Sequence, residues 1–164
     1  MVPSWLAAHR DHVPADAFQK RVEEWTPDVS ARAWARLLDA QDDTRVPDDV
    51  LLLAEDESGV VVGLVLGTPS QEDAGGAAEI SAIYVLPNRH RTGTGTALLR
   101  ACADQLSRRG FSRLRVSVLT ANLPARAFYE SLGAHEVDHG TFDEEGHLLP
   151  LTVYEWTDIR VLVG

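Results

Sequence analysis

Apolar residues recur every three or four positions near the start of this chain and every second position through much of the remainder. Phe18, Val22 and Trp25 fall at i, i+4 and i+7, one face of a helix opened by Pro14 at its first turn. Ser30 is placed to cap a second helix with Trp34, Leu37 and Leu38 on its buried side. Asp42, Asp43 and Pro47–Asp49 break that pattern. Val50–Ala54 and Val60–Leu66 read as two strands turned by Asp56–Gly59. Thr68–Gly76 reads as a loop and Ala77–Leu86 as a third strand, ended by Pro87. Gly95–Arg109 predicts a helix stopped by Gly110. Arg113–Leu119 alternates as a strand should, and Pro124–Leu132 predicts a short helix closed by Gly133. His135–Phe142 and Leu149–Trp156 flank Asp143–Gly146 as a last hairpin.

Hairpins at both ends thus enclose a strand–helix–strand crossover, which predicts a mixed α/β domain on one central sheet. The 164 residues suit a single domain, 1–164, with 45% apolar and 24% charged residues in ordinary globular balance. Cys102 is the single cysteine, so an internal disulfide is excluded, and the spacing of a zinc site is missing. It falls in a Leu98, Cys102, Leu106 stripe, the pattern of a small buried hydrophobe. The apolar runs are too short to span a bilayer, and the residues after Met1 do not form a leader. A cytoplasmic protein without a membrane partner is the expectation.

Charge changes the picture further. A net charge of −10 disfavours nucleic acid as a partner. Arg89 to Arg126, however, holds eight arginines and one acid, Asp104, a local +7 that leaves −17 for the rest. That split fits an anionic cofactor beside a cationic acceptor, and equally a helix solvated by Arg100, Arg108, Arg109 and Arg113.

The densest chemistry lies where the third strand runs into Arg89-His-Arg-Thr-Gly-Thr-Gly-Thr96 and opens a helix. The first N–H groups of a helix lack internal partners and carry partial positive charge. Gly93 and Gly95 leave room for a phosphate to reach them, and Arg89 and Arg91 add charge. A Walker loop would need Gly-Lys-Ser/Thr, and a dinucleotide fingerprint a third glycine where Leu98 stands.

A second stretch, Asn122-Leu-Pro-Ala-Arg-Ala-Phe-Tyr-Glu-Ser-Leu-Gly-Ala134, follows a strand. Together the two stretches resemble the GNAT N-acetyltransferase superfamily, whose cofactor loop reads Arg/Gln-x-x-Gly-x-Gly/Ala and whose later helix reads Asn-x-x-Ala-x-x-Phe-Tyr-x-x-x-Gly-Phe. The resemblance runs from Val50 through Trp156. His90 departs from the usual Arg or Gln, and Ala134 from the usual Phe. Trp5-x-x-x-His-Arg-Asp-x-x-Pro14 resembles the family's first-helix segment, but the strand that normally precedes it has no counterpart here, so either the native start lies upstream or the sheet lacks its first edge strand.

The resemblance implies an N-acetyltransferase using acetyl-CoA, with no metal, on a primary amine: a small cationic molecule or a peptide or protein amine. Backbone groups of Ile83 and Val85, beside a bulge, would hold the pantetheine arm. His90, Arg91, Thr92, Gly93, Thr94, Gly95 and Thr96 would cradle the pyrophosphate. Asn122 would bond the arm, Phe128 would pack on it, and Tyr129 would protonate the departing thiolate. Glu79 is the candidate base, His135 and His139 are weaker ones, and Tyr154 is a packing residue. A non-catalytic acyl-CoA sensor and a nucleotide-binding enzyme are the rival readings. The apolar tail Ile159–Val163 allows a homodimer or pairing within its own sheet.

Overall fold

The computed structural model describes residues 2, 6, 9–43, 48–70 and 76–163, with backbone alone for 36–43. Trp5, the side chains of Leu37 and Leu38, Pro47 and the middle of the Thr68–Gly76 loop lie outside the described residues. Helices α1 (Ala15–Glu24) and α2 (Pro27–Asp43) precede strands β1 (Val50–Glu55), β2 (Val61–Pro69) and β3 (Ala77–Val85). Helix α3 (Thr94–Arg108), β4 (Arg113–Leu119), α4 (Leu123–Ser131), β5 (His135–Glu144) and β6 (His147–Trp156) complete the chain order.

The six strands form one open sheet in the order β1-β2-β3-β4-β6-β5. Every neighbouring pair is antiparallel except β3 with β4. This is the expected mixed sheet, and among the described residues β1 and β5 are its outer strands.

One face of the sheet carries α3. Its Leu98, Leu99, Cys102, Ala103 and Leu106 sink into a core shared with Val65, Ile80, Leu114, Val116, Tyr154 and Trp156. The helix approaches β2 so closely that a Cβ on Gly67 would lie 2.7 Å from Cys102 Sγ and 2.9 Å from Leu106 Cδ1, so the glycine there is a packing requirement. Burial also pushes the Cys102 thiol up to about 12, which keeps it an inert hydrophobe.

The other face meets α1, whose Ala17 and Phe18 join Val13, Leu119, Leu149 and Leu151 in a second cluster. Arg21 holds the buried Glu144 carboxylate with Nε at 2.7 Å and Nη2 at 2.6 Å, Lys20 pairs with Glu145, and His147 meets Asp16 at 3.1 Å. These pairs seat α1 on the tip of the β5–β6 hairpin.

Local chemistry moves some predicted boundaries. Pro27 begins α2, and Thr26 Oγ1 accepts the Val29 N–H at 3.3 Å, while Ser30 is buried inside the first turn and does not cap it. Val22 is 38% exposed, because α1 rolls to bury Ala17. The last hairpin is tighter than its loop composition suggests. Glu144 pairs with His147 across Glu145-Gly146, both at positive φ, the turn that matches strand twist.

The tail forms a short 3-10 turn, Ile159–Val161, with Ile159 and Leu162 buried in the main core. The segment forms a turn where pairing within the sheet was the alternative expectation, and Val161 between the two buried side chains is 62% exposed. Asp158 caps the turn, accepting from the Arg160 N–H at 3.0 Å and its guanidinium at 2.8 Å. Those bonds hold the Asp158 carboxyl at about 2, below its ordinary 3.8. A depressed carboxyl adds stability above its unfolded pKa and loses it as pH falls through the folded one. The protection of the Arg160 and Val161 amides from exchange, taken relative to their intrinsic rates, should therefore fall selectively as pH falls from about 4 to about 2. Equal protection across that window would remove the cap from the tail's stability.

Candidate active site

Strands β3 and β4 pair only at Ala77–Arg113, Ala78–Leu114 and Glu79–Arg115. Beyond Glu79 they diverge. In the β2–β3 ladder Gly67 faces Ile80 and Leu66 faces Ala82, which makes Ser81 the extra residue of a β-bulge and bends β3 away from β4.

The ladder fixes what faces the gap. Leu86 donates its N–H to Val62 O at 2.9 Å, so in this antiparallel register Leu86, Tyr84 and Ala82 bond to β2. Ile83 and Val85 accordingly turn their N–H and C=O groups into the gap. On the opposite edge Thr120 donates to Pro150 O at 2.9 Å, so Ser117 and Leu119 turn theirs inward. Two internal strand edges thus face each other across a cleft of about 400 Å³.

At the mouth of the gap the chain makes a short 3-10 turn, Pro87–Arg89, and enters α3. Arg91 (φ 61°) and Gly93 (φ 88°) are both left-handed, the kind of backbone alternation from which anion-binding nests are built. The first helical bond is Ala97 N–H to Gly93 O at 2.9 Å, and Gly93 has no side-chain cap. The N–H groups of Thr94, Gly95 and Thr96 are left at the helix's positive end. A Cβ on Gly95 would lie 3.5 Å from Phe128 Cζ, an ordinary contact distance, which places α4 against the start of α3. Thr92 Oγ1 donates to Arg89 O at 2.7 Å and meets Thr94 Oγ1 at 3.0 Å, which fixes the loop.

Tyr129 projects from α4 into the base of the gap and is 5% exposed. Its ring lies edge-on to Trp156 with centroids 6.1 Å apart and 6.3 Å from Tyr154. Among the described residues its hydroxyl has no hydrogen-bond partner, and burial raises its pKa well above the phenol range. Buried hydroxyls are nearly always bonded, so this one marks a place where a partner arrives from outside. Tyr154, by contrast, is fully used. It donates to Glu130 at 2.5 Å and accepts from Arg126 Nε at 2.9 Å, and Arg126 also reaches Thr120 O and Glu136.

The family model described as the acetyltransferase (GNAT) family matches residues 14–134, most of the chain. The chain belongs to the GNAT family. It is 34% identical over 113 residues to the N-acetyltransferase YuaI of Bacillus subtilis, covering 68% of this chain and 65% of that one. Its fold matches a Brucella melitensis ribosomal-protein-alanine N-acetyltransferase at TM-score 0.66, with 23% identity over 94% of this chain and 93% of that one. It also matches a Salmonella typhimurium acetyltransferase, YncA, described with its cofactor acetyl-CoA, at TM-score 0.64, 22% identity, and 76% and 73% coverage. The matched regions span from 37% to 65% of the length of the curated relatives.

Within the GNAT frame the predicted residues divide. Ile83, Val85, His90, Asn122 and Tyr129 come together at the cleft. His90 Nε2 lies 3.0 Å from Val85 O, which leaves the Val85 N–H to the gap. Asn122 Oδ1 caps α4 by accepting from Ala125 N–H at 3.2 Å, which frees its amide NH₂ to donate. Phe128 packs on the cradle and does not line the cleft. Arg89 is turned away to Asp56 at 2.7 Å.

Glu79 stands in the last paired position of β3, opposite Arg115, and is not among the cleft-lining residues. His135 and His139 lie on the outer strand β5. Conversely, sequence reasoning did not assign His9, Tyr84, Ser117, Phe142 and Leu151 to the cleft, where the structure places them. A register argument from the Ser81 bulge was the one signal able to find Tyr84.

Proposed function

We propose that this chain transfers an acetyl group from acetyl-CoA to a primary amine, with both substrates bound together. The observation that carries this reading is the buried, unbonded Tyr129 hydroxyl at the base of a cleft whose edges are unpaired backbone and whose mouth has the backbone alternation of an anion nest. In this reading the N–H groups from His90 to Thr96, with the Arg91 guanidinium, take the pyrophosphate. The Ile83 backbone and the Asn122 amide hold the pantetheine arm, whose amides complete the strand edge. Phe128 braces the cradle from behind.

Acetyl-CoA, when bound, supplies the acetyl group and a thiol leaving group. The Val85 N–H donates to the carbonyl oxygen as negative charge builds there, and one such preorganised donor stabilises a transition state by about 3–4 kcal/mol. Tyr129 donates its O–H to the departing sulfur. Because burial disfavours its ionised form, a strong hydrogen bond carries more of that assistance than complete proton release. Glu79, outside the lining, is left out of the reacting set.

Melting in the presence of ligand tests the reading. Acetyl-CoA and CoA at about 100 times their dissociation constants should stabilise the fold by about 2.7 kcal/mol, with no shift from ATP or NAD. Thr94→Asp should abolish that shift. A carboxylate in the first turn favours the helix through its dipole, so the variant should melt as high as the parent while repelling pyrophosphate. A full acetyl-CoA shift in Thr94→Asp would move the phosphates away from this cradle.

A further inference from the structure

The gap between β3 and β4 is lined from both faces of the sheet. Ile83, Val85 and Tyr129 line it from the side that packs with α3. Tyr84, one residue from each of the first two, points to the opposite side. Leu119 and Leu151 line that side too and join the cluster under α1. In the transfer reading the pyrophosphate sits at the start of α3 and the sulfur departs toward Tyr129. The amine therefore arrives from the α1 side.

One segment reaches over that side. Val13 donates its N–H to His9 O at 3.1 Å, and His12 donates to the same oxygen at 3.0 Å. His9 and Val13 thus lie one helical turn apart on the same side of the segment. Val13 is buried in the cluster with Leu119 and Leu149. That anchor carries the half-buried imidazole of His9 to the cleft, where it joins the lining.

An amine acceptor is an ammonium at neutral pH, and its nitrogen has no lone pair for the thioester until a base takes a proton. The lining residues include no carboxylate, and Glu79 stands outside them, opposite Arg115. Burial holds Tyr84 and Tyr129 in their protonated forms. His90 belongs to the cradle, with Nε2 at 3.0 Å from Val85 O. Of the charged groups on the segment and on the elements around it, Asp11 is exposed, Arg10 lies over the Phe18 ring, Arg21 holds Glu144, and Asp16 meets His147.

We infer that His9 is the general base of the transfer, taking a proton from the acceptor ammonium on the α1 side of the gap while Tyr129 serves the leaving sulfur on the α3 side. This rests on the acetyl-transfer reading. One N–H bond of the ammonium breaks and its proton bonds to an imidazole nitrogen. The freed lone pair forms the C–N bond, the C–S electron pair leaves on sulfur, and the sulfur takes the Tyr129 proton. The surplus proton on the new amide nitrogen passes to water, and water restores the tyrosine. Ser117 is exposed and Phe142 is 45% exposed, so this side of the cleft is open and the imidazolium returns its proton to solvent.

The test follows kcat/KM against pH at saturating acetyl-CoA, with CoA thiol release as the readout and glycinamide, Nα-acetyl-lysine amide and spermidine as acceptors. The parent should show an acid limb in the imidazole range, near pH ~6.5. His9→Gln cannot take a proton, so it should lose that limb and fall about 10²-fold near neutral pH. Its rate should then follow the acceptor's own ionisation. The deficit should close above about pH 8 for glycinamide and persist to about pH 10 for the lysine amide. The acetyl-CoA melting shift of the variant should equal the parent's. In the parent, NMR titration of the His9 imidazole in the acetyl-CoA complex should coincide with the limb, a check that needs no variant. A limb that survives in His9→Gln, or one removed by Glu79→Gln, would overturn the inference. So would a His9 titration that misses the limb, or a variant that no longer responds to acetyl-CoA. No CoA release with any of the three acceptors, or no acetyl-CoA melting shift in the parent, would instead overturn the transfer reading beneath it.

Discussion

Tyr129→Phe should melt higher than the parent and turn over about a hundredfold more slowly. The two effects share one cause. The hydroxyl is buried at 5% exposure and bonded to nothing among the described residues, and an unsatisfied buried donor costs about 1–3 kcal/mol. Removing the oxygen relieves that cost while keeping the ring against Trp156 and Tyr154. In the proposed mechanism what disappears is the donor to the leaving sulfur, and losing one preorganised donor lowers kcat by about 10²–10³. Acetyl-CoA affinity, carried by the cradle and strand edges, should change little. Denaturant unfolding, steady-state kinetics and cofactor titration separate the three quantities. A variant with parental kcat would take Tyr129 out of the chemistry, and one that melts lower would mean the hydroxyl is bonded in the free protein. The pH profile has a matching sign. A raised phenol pKa extends the neutral form upward, so Tyr129 should not set an alkaline limb below about pH 10.

Trp156→Ala should be the most damaging single change in the main core. The indole is 1% exposed, lies edge-on to Tyr129, and donates Nε1–H to Leu132 O at 2.8 Å. Truncating a buried tryptophan costs about 3–5 kcal/mol, a large share of the 5–15 kcal/mol that holds a typical domain together. The Leu132 carbonyl at the end of α4 would also lose its donor. The loss should therefore appear twice, as a lower denaturation midpoint and, in the fraction still folded, as a lower kcat from a loosened Tyr129. A loss below about 1 kcal/mol would mean that α4 is held mainly by Arg126 and its bonds to Tyr154, Thr120 and Glu136.

The cradle was legible because its chemistry is contiguous. A strand, two glycines and a helix start sit within one short string, and the groups proposed to bind are backbone N–H, so little depends on distant residues. Tyr129 was legible for a similar reason, as a member of a short helix with its own cap at Asn122. The far wall of the cleft was not. His9, Tyr84, Ser117, Phe142 and Leu151 come from five separated segments, and the register of three ladders decides whether they meet. Glu79 shows the same limit from the other side. Its place on β3 was read correctly, yet the two strands separate just beyond it, so it remains at the closed end of the gap. Thr26 displaced Ser30 as the cap because Pro27 fixes the first turn of α2, a choice between neighbouring candidates that composition does not rank.

The divergence of β3 from β4 also bears on solubility. An unpaired strand edge ordinarily recruits another chain, and sheets defend their rims with charge or cover. This protein carries two additional edges, at Ile83–Val85 and at Ser117–Leu119, but they face each other inside the molecule, beyond the last paired position of the two strands at Glu79 and Arg115. The seam can stay open without becoming a nucleus for fibres. A slim molecule bearing amides is the kind of visitor such a seam admits.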